Sequence, residues 1–119
     1  MSLPKNKKKK DSFFTIKKIQ QEISKIARSI IKGYHPEKLI LYGSSASGKM
    51  TSDSDVDFLV IKDTKKNAWE RMKDVDRYVE HTVPVDVLVY TPAEIEERLS
   101  MGDFFIEDIM KGGKVIYAK

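Results

Sequence analysis

The sequence has no cysteine among its 119 residues, which excludes disulfides and thiolate metal sites and leaves the redox compartment open. Histidine is scarce too. His35 and His81 are the two in the chain; neither has a ligand-type residue at metal-site spacing, and both read as loop or surface residues. No apolar run approaches the ~20 residues that a membrane-spanning helix needs. The lysine-rich N-terminus has no apolar segment behind it of the kind that forms a secretory signal, so a cytoplasmic protein without a membrane role is expected. No internal repeat or linker interrupts the chain.

What is present is an ordinary globular composition, 40% hydrophobic and 34% charged, at a length that suits one domain with one core. That length is too short for a separate substrate-binding domain, so any acceptor is expected to come from another molecule. The net charge is +4, unevenly placed. Lys5, Lys7, Lys8, Lys9 and Lys10 carry five positive charges, and +4 less five leaves −1 for everything after residue 10. Residues 1–11 therefore read as a basic disordered tail, able to touch nucleic acid weakly and in a salt-dependent way, ahead of a near-neutral domain over residues 12–119.

The chain is organised around residues 39–61, LILYGSSASGKMTSDSDVDFLVI. Two short apolar runs, 39–42 and 58–61, have the length and residue types of buried strands, and a small-residue connection joins them. Gly43 and Ser44 come straight off the first strand, where a residue without a side chain lets backbone N–H groups approach an anion and a hydroxyl adds a donor. The second strand opens with Asp55-Val56-Asp57. Side chains alternate along a strand, so these carboxylates share a face about 7 Å apart, at ~3.3 Å rise per residue. A carboxylate platform for a divalent metal then faces a phosphate loop.

Two other motifs resemble this stretch in part. Gly43 to Lys49 comes within one residue of a P-loop, but Met50 stands where a hydroxyl should meet magnesium, and the segment after it is too short and polar for the long helix a P-loop opens. Asp53-Ser54-Asp55-Val56-Asp57 imitates the start of an EF-hand loop, yet Phe58 replaces the turn glycine and Thr64 the bidentate glutamate.

Elsewhere, Ile16, Ile19, Ile23, Ile26 and Ile30 recur at steps of three and four, an amphipathic helix whose stripe packs on a sheet. Asp11 or Ser12 is placed to cap its start, Gly33 to take the left-handed position at its end, and Pro36 to prevent its resumption. Asp63-Thr64 introduces a second helix with Ala68, Met72, Val75 and Val79 on its buried face and the aromatic rings of Trp69 and Tyr78 in the core. Residues 84–90 form a third strand. Its one charged residue, Asp86, would be costly if buried without a metal or a cation. Thr91-Pro92-Ala93-Glu94 is a capping box that starts a short helix. Residues 103–110 read as another helix, stopped by Gly112-Gly113, and 115–117 as a last edge strand. The pattern is α/β, a small mixed sheet with helices packed on it, and strand connections of this kind can bring Asp86 beside Asp55 and Asp57.

Gly43-Ser44, ten residues, then Asp55-Val56-Asp57, with a later carboxylate at Asp86, resembles the signature of the DNA polymerase β-like nucleotidyltransferases, most closely the minimal nucleotidyltransferases often encoded beside a HEPN-domain protein. The resemblance runs from the helix before Leu39 to the last strand. It implies a nucleotidyltransferase fold over residues 12–119 and transfer of a nucleoside monophosphate, AMP from ATP, to a hydroxyl of a partner protein. Asp55, Asp57 and Asp86 would be catalytic and hold two Mg2+ ions, the first two bridging both, and Gly43, Ser44 and Lys49 would bind the nucleotide. The implied partner is a HEPN-domain toxin, with this chain its antitoxin, or else a second copy in a homodimer. Family members often read Gly-Ser-Arg-Ala-Arg-Gly where this chain has Ser45 and Ser47. That loss of two cations favours an alternative, a binding module that neutralises its partner with little transferase activity. Transfer to a small molecule of the aminoglycoside type resembles larger relatives and fits this length least.

Overall fold

The computed structural model describes residues 5–51 and 55–119, with side chains from residue 16 onward. Its elements, in chain order, are α1 (Lys5–Tyr34), β1 (Lys38–Tyr42), α2 (Ser44–Ser47), β2 (Val56–Ile61), α3 (Ala68–Asp76), β3 (Val85–Tyr90), α4 (Pro92–Ser100), α5 (Phe104–Gly112) and β4 (Lys114–Ala118). The strands make one mixed sheet in the order β3-β2-β1-β4. β1 runs antiparallel to both β2 and β4, and β2 runs parallel to β3, a pairing that requires the crossover supplied by α3.

The sheet separates two cores. On one face, Ile19, Ile23, Ile26 and Ile30 of α1 pack on Leu39, Leu41, Phe58 and Val60, joined by Val75 and Val79. On the other, Ile95 of α4 and Ile106 and Ile109 of α5 cover Ile40, Leu59 and Ile61. The alternation along β1 and β2 follows from the strand period of two. The isoleucine stripe lies on the sheet, as its spacing requires.

Several expectations are corrected. Helix α1 begins at Lys5, so helical backbone takes in residues 5–11 of the expected tail and the start lies ahead of Asp11 and Ser12; lysine is a good helix former and does not oppose the extension. Residues 1–4 of that tail lie outside the described residues. At its other end, α1 runs through Gly33 to Tyr34, and the left-handed residue is His35, with φ 57°. Gly33 serves packing instead. A Cβ there would stand 2.1 Å from Cδ1 of Tyr78. The C-terminus of α1 is met by Lys62, whose Nζ donates to the Tyr34 carbonyl and lies 4.0 Å from the centre of the Tyr34 ring.

Helix α3 starts later than expected, at an Asn67–Glu70 capping box, and its buried face is Arg71 and Val75 rather than Ala68 and Met72. Trp69 is 68% exposed rather than in the core, while Tyr78 is half-buried against Tyr34. The reason is the guanidinium of Arg71. It donates to the Lys66 carbonyl at 2.7 Å, to Glu94 at 2.7 Å and to the Val89 carbonyl at 3.4 Å, and a buried cation with its donors satisfied can occupy an inward position. Asp86 is exposed because β3 is an edge strand, so it carries no burial penalty.

Candidate active site

Register decides the site. Tyr42 is the Cα partner of Asp57 across β1 and β2, and Asp57 is the partner of Asp86 across β2 and β3. Register partners point to the same side, so a phenol and two carboxylates form a row across three strands spaced about 4.8 Å apart. The row lies on the face covered by α4 and α5, at the end of the sheet where β1 delivers the Gly43 turn. Asp55 precedes β2 rather than opening it and is exposed, yet its charge still reaches Asp57.

Gly43 has φ 76° and ψ −155°, a conformation that disfavours side chains, and its carbonyl accepts from the N–H groups of Ala46 and Ser47 at 3.1 and 3.2 Å, closing the single turn of α2. A Cβ at Gly43 would lie 2.8 Å from Oδ2 of Asp57. The turn and the carboxylate are therefore in direct apposition, and only glycine permits it. Ser44 opens α2, and Lys49 is exposed just past Gly48, whose left-handed φ of 79° ends the turn. Ser45 and Ser47 turn their hydroxyls back onto the carbonyls of Tyr42 and Ser44, at 3.3 and 3.4 Å.

Burial, then Asp86, then Asp55 hold the Asp57 carboxyl above its ordinary value. The Tyr42 hydroxyl is pushed up to about 12, by burial first and then by Asp57, Asp86 and Tyr90, so it stays a neutral donor. Phe105 meets the Tyr42 ring edge-on at 5.8 Å. Together the two rings border a cavity of about 460 Å³ that contains Asp57 and Asp86 and has Met72 and His81 on its wall. His81 is exposed and bonded to Asp76 at 2.7 Å, in keeping with a surface histidine.

A family model described as a nucleotidyltransferase domain matches residues 16–116. The chain belongs to this family. No match among curated proteins accompanies it. Among solved structures, a candidate nucleotidyltransferase from Sulfolobus solfataricus is similar over 90% of this chain and 86% of its own, with a TM-score of 0.65 at 18% identity. At that identity the likeness establishes the α/β fold, which agrees with the mixed sheet and flanking helices read from the sequence.

In this nucleotidyltransferase domain the donor chemistry suits a hard divalent cation, since carboxylate oxygens are its preferred ligands. The raised Asp57 has the same sense: its charge is disfavoured by burial and by Asp86 and Asp55, and a bound cation would relieve that. Among the described residues no three histidine, aspartate or glutamate side chains are gathered into a ready-made metal cage. Also among them, no helix is long and apolar enough to cross a membrane. Tyr42 and Phe105 were not anticipated as site residues. Tyr42 adjoins Gly43 at the end of its strand, which is the one signal available; Phe105 offers none, because it is brought to the site only by the packing of α5.

Proposed function

We propose that this nucleotidyltransferase domain transfers AMP from ATP to a hydroxyl of a partner protein, the partner being a HEPN-domain toxin and the chain its antitoxin. The observation that carries the reading is the register match of Asp57 with Asp86 beside the Gly43 turn. Backbone N–H groups and the Ser44 hydroxyl would take the β- and γ-phosphates, helped by Lys49 as a point charge. The acceptor oxygen would bond to the α-phosphorus as the bond to pyrophosphate breaks. Asp57 and Asp86 would hold magnesium, with the charge of Asp55 nearby, and the ion would supply charge neutralisation and polarisation of the phosphoryl oxygens. Asp86 is exposed on the edge strand, the open side for an incoming hydroxyl. Exposed Met101 and Phe104, 72% and 79% accessible, give a protein acceptor apolar surface near Phe105.

Transfer from α-labelled ATP to the HEPN partner tests this. Asp57→Asn should weaken Mg-ATP binding and abolish labelling together. Asp86→Asn should keep binding and lose labelling by roughly 100-fold or more, as for a group acting on the transition state. Unchanged labelling by Asp86→Asn would sink the assignment. The inward-bonded Ser45 and Ser47 hydroxyls favour a second reading, a binding module with little activity. It takes over if the wild-type chain inhibits its partner without transferring label.

A further inference from the structure

The two outer edges of the sheet are finished differently. β4 opens with Lys114, is followed by Lys119, and has a register shift in its pairing with β1, the charges and irregularities that keep an edge from pairing with another chain. β3 has no lysine, arginine or register shift, and its one charge is Asp86. Its outward groups follow from its pairing. The Pro84 and Tyr90 carbonyls accept from the N–H groups of Val56 and Lys62 at 2.9 and 3.0 Å, so the alternation of a parallel ladder turns the N–H and C=O groups of Val85, Val87 and Val89 away from β2. Among the described residues, the Val89 carbonyl alone of these has a partner, the Arg71 guanidinium at 3.4 Å.

A groove follows this open edge. The cavity holding Asp57 and Asp86 meets a second one, of about 250 Å³ between α3 and α4, at Met72, Val87 and Leu88. Met72, 53% exposed, is an apolar wall common to both. The far end is bounded by Arg71, Glu94 and Arg98. Arg71 is engaged with Glu94 and the Lys66 carbonyl. Arg98 is held more loosely: its guanidinium, half exposed, lies 5.7 Å from the centre of the Tyr90 ring and has a long ion pair, 3.5 Å, with Asp103. The groove therefore has the site carboxylate at one end and an accessible cation at the other.

Resting on the transferase reading, we infer that the acceptor protein enters as an extended segment that adds a fifth strand along β3, with its hydroxyl residue opposite Asp86 and an acidic residue four positions away at Arg98. Asp86, Leu88 and Tyr90 alternate onto one face of the sheet, so the residues paired with Asp86 and Tyr90 share that face as well. One brings its hydroxyl to the site carboxylates while the other reaches the guanidinium over Tyr90. Main-chain bonds to Val85, Val87 and the Val89 N–H give affinity, and the spacing gives selection. A second copy of β3 would place its own Tyr90 opposite Asp86, but that ring packs with the α4–α5 core beneath Arg98 and is not free to cross.

Synthetic valine- and glutamine-rich peptides with one tyrosine, and a glutamate four positions before or after it, cover the two directions of pairing; lysine in place of the glutamate is the control. In calorimetric titrations one glutamate peptide should bind about threefold or more tightly than its lysine counterpart, and it should slow hydrogen exchange at the Val85, Val87 and Val89 amides. Arg98→Glu should reverse the order. Val87→Pro removes an outward N–H that the sheet itself does not use. It should lower affinity for the glutamate peptide by roughly tenfold, with an unchanged melting point as the check that the fold is kept. Failure of every peptide to bind, an unreversed order in Arg98→Glu, or unprotected amides overturns the strand addition. So does protection already present without peptide and rising with protein concentration, which would put a second copy on the edge. Those results leave the transferase reading intact, because it stands or falls by label transfer from ATP.

Discussion

Asp57 stands where its charge is opposed, half-buried and beside Asp86, with Asp55 two residues before it. Without a cation, that arrangement costs stability. Asp57→Asn should therefore melt a few degrees above the wild-type protein in EDTA, roughly what half a kcal/mol does in a domain of this size once solvent screening of a partly exposed carboxylate is allowed for. Millimolar magnesium should stabilise the wild-type protein and leave the variant unmoved. A lower melting point for the variant in EDTA would mean that Asp57 is a structural acceptor instead. Two glycines give a paired test of position. Gly33→Ala drives a methyl into the Tyr78 ring and should cost about 1–3 kcal/mol. Gly112→Ala meets open space near the end of α5 and should stabilise by up to ~1 kcal/mol. Urea unfolding reads both, and equal effects would contradict the packing described.

At the scale of elements, α4 shows local chemistry and tertiary contact joined in one side chain. Glu94 accepts from the Thr91 N–H at 2.7 Å while its own N–H donates to the Thr91 hydroxyl at 3.1 Å, closing the capping box legible in Thr91-Pro92-Ala93-Glu94. The same carboxylate binds Arg71 of α3 at 2.7 Å. Burial acts to raise the Glu94 carboxyl, but the Thr91 N–H, Arg71 and the Thr91 hydroxyl outweigh it and hold it below its ordinary value. A depressed folded-state value means that the native chain binds fewer protons than the unfolded one. Its stabilisation is then complete above the unfolded value near ~4.3 and is lost as pH falls through the folded one. Glu94→Gln keeps an acceptor for the Thr91 N–H but leaves the buried Arg71 without its counter-charge, and should cost about 1–2 kcal/mol at pH 7. The gap to wild type should narrow as pH falls below the unfolded value of about 4.3 in urea titrations. A gap that stays constant would assign the effect to side-chain shape instead of charge.

For the molecule as a whole, Leu99, Met101 and Phe104 leave the turn between α4 and α5 exposed by 39%, 72% and 79%. Phe104→Ser should weaken a complex with the proposed acceptor protein by roughly tenfold or more, as for an interface aromatic anchor, without changing Mg-ATP affinity. Light scattering after sizing chromatography, with and without the partner, measures the first and calorimetry the second; an undiminished complex would place the interface elsewhere. What the sequence determined by itself is local: the Gly43-Ser44 turn, the isoleucine stripe and the Thr91 capping box each act within a few residues, so their geometry follows from local backbone preference and the helix and strand periods, whereas Asp55 lies before β2 and outside the strand period that would pair it with Asp57. The strand order is not local. It made β3 an edge, exposing Asp86, and set the register that aligns Tyr42, Asp57 and Asp86. It also allowed Arg71 to turn inward and Trp69 outward, against their hydrophobicity. Burial and alignment depend on what other segments bring alongside a residue, and contacts such as Phe105 on Tyr42 join positions whose separation along the chain carries no periodic signal. Only the packed sheet could decide them.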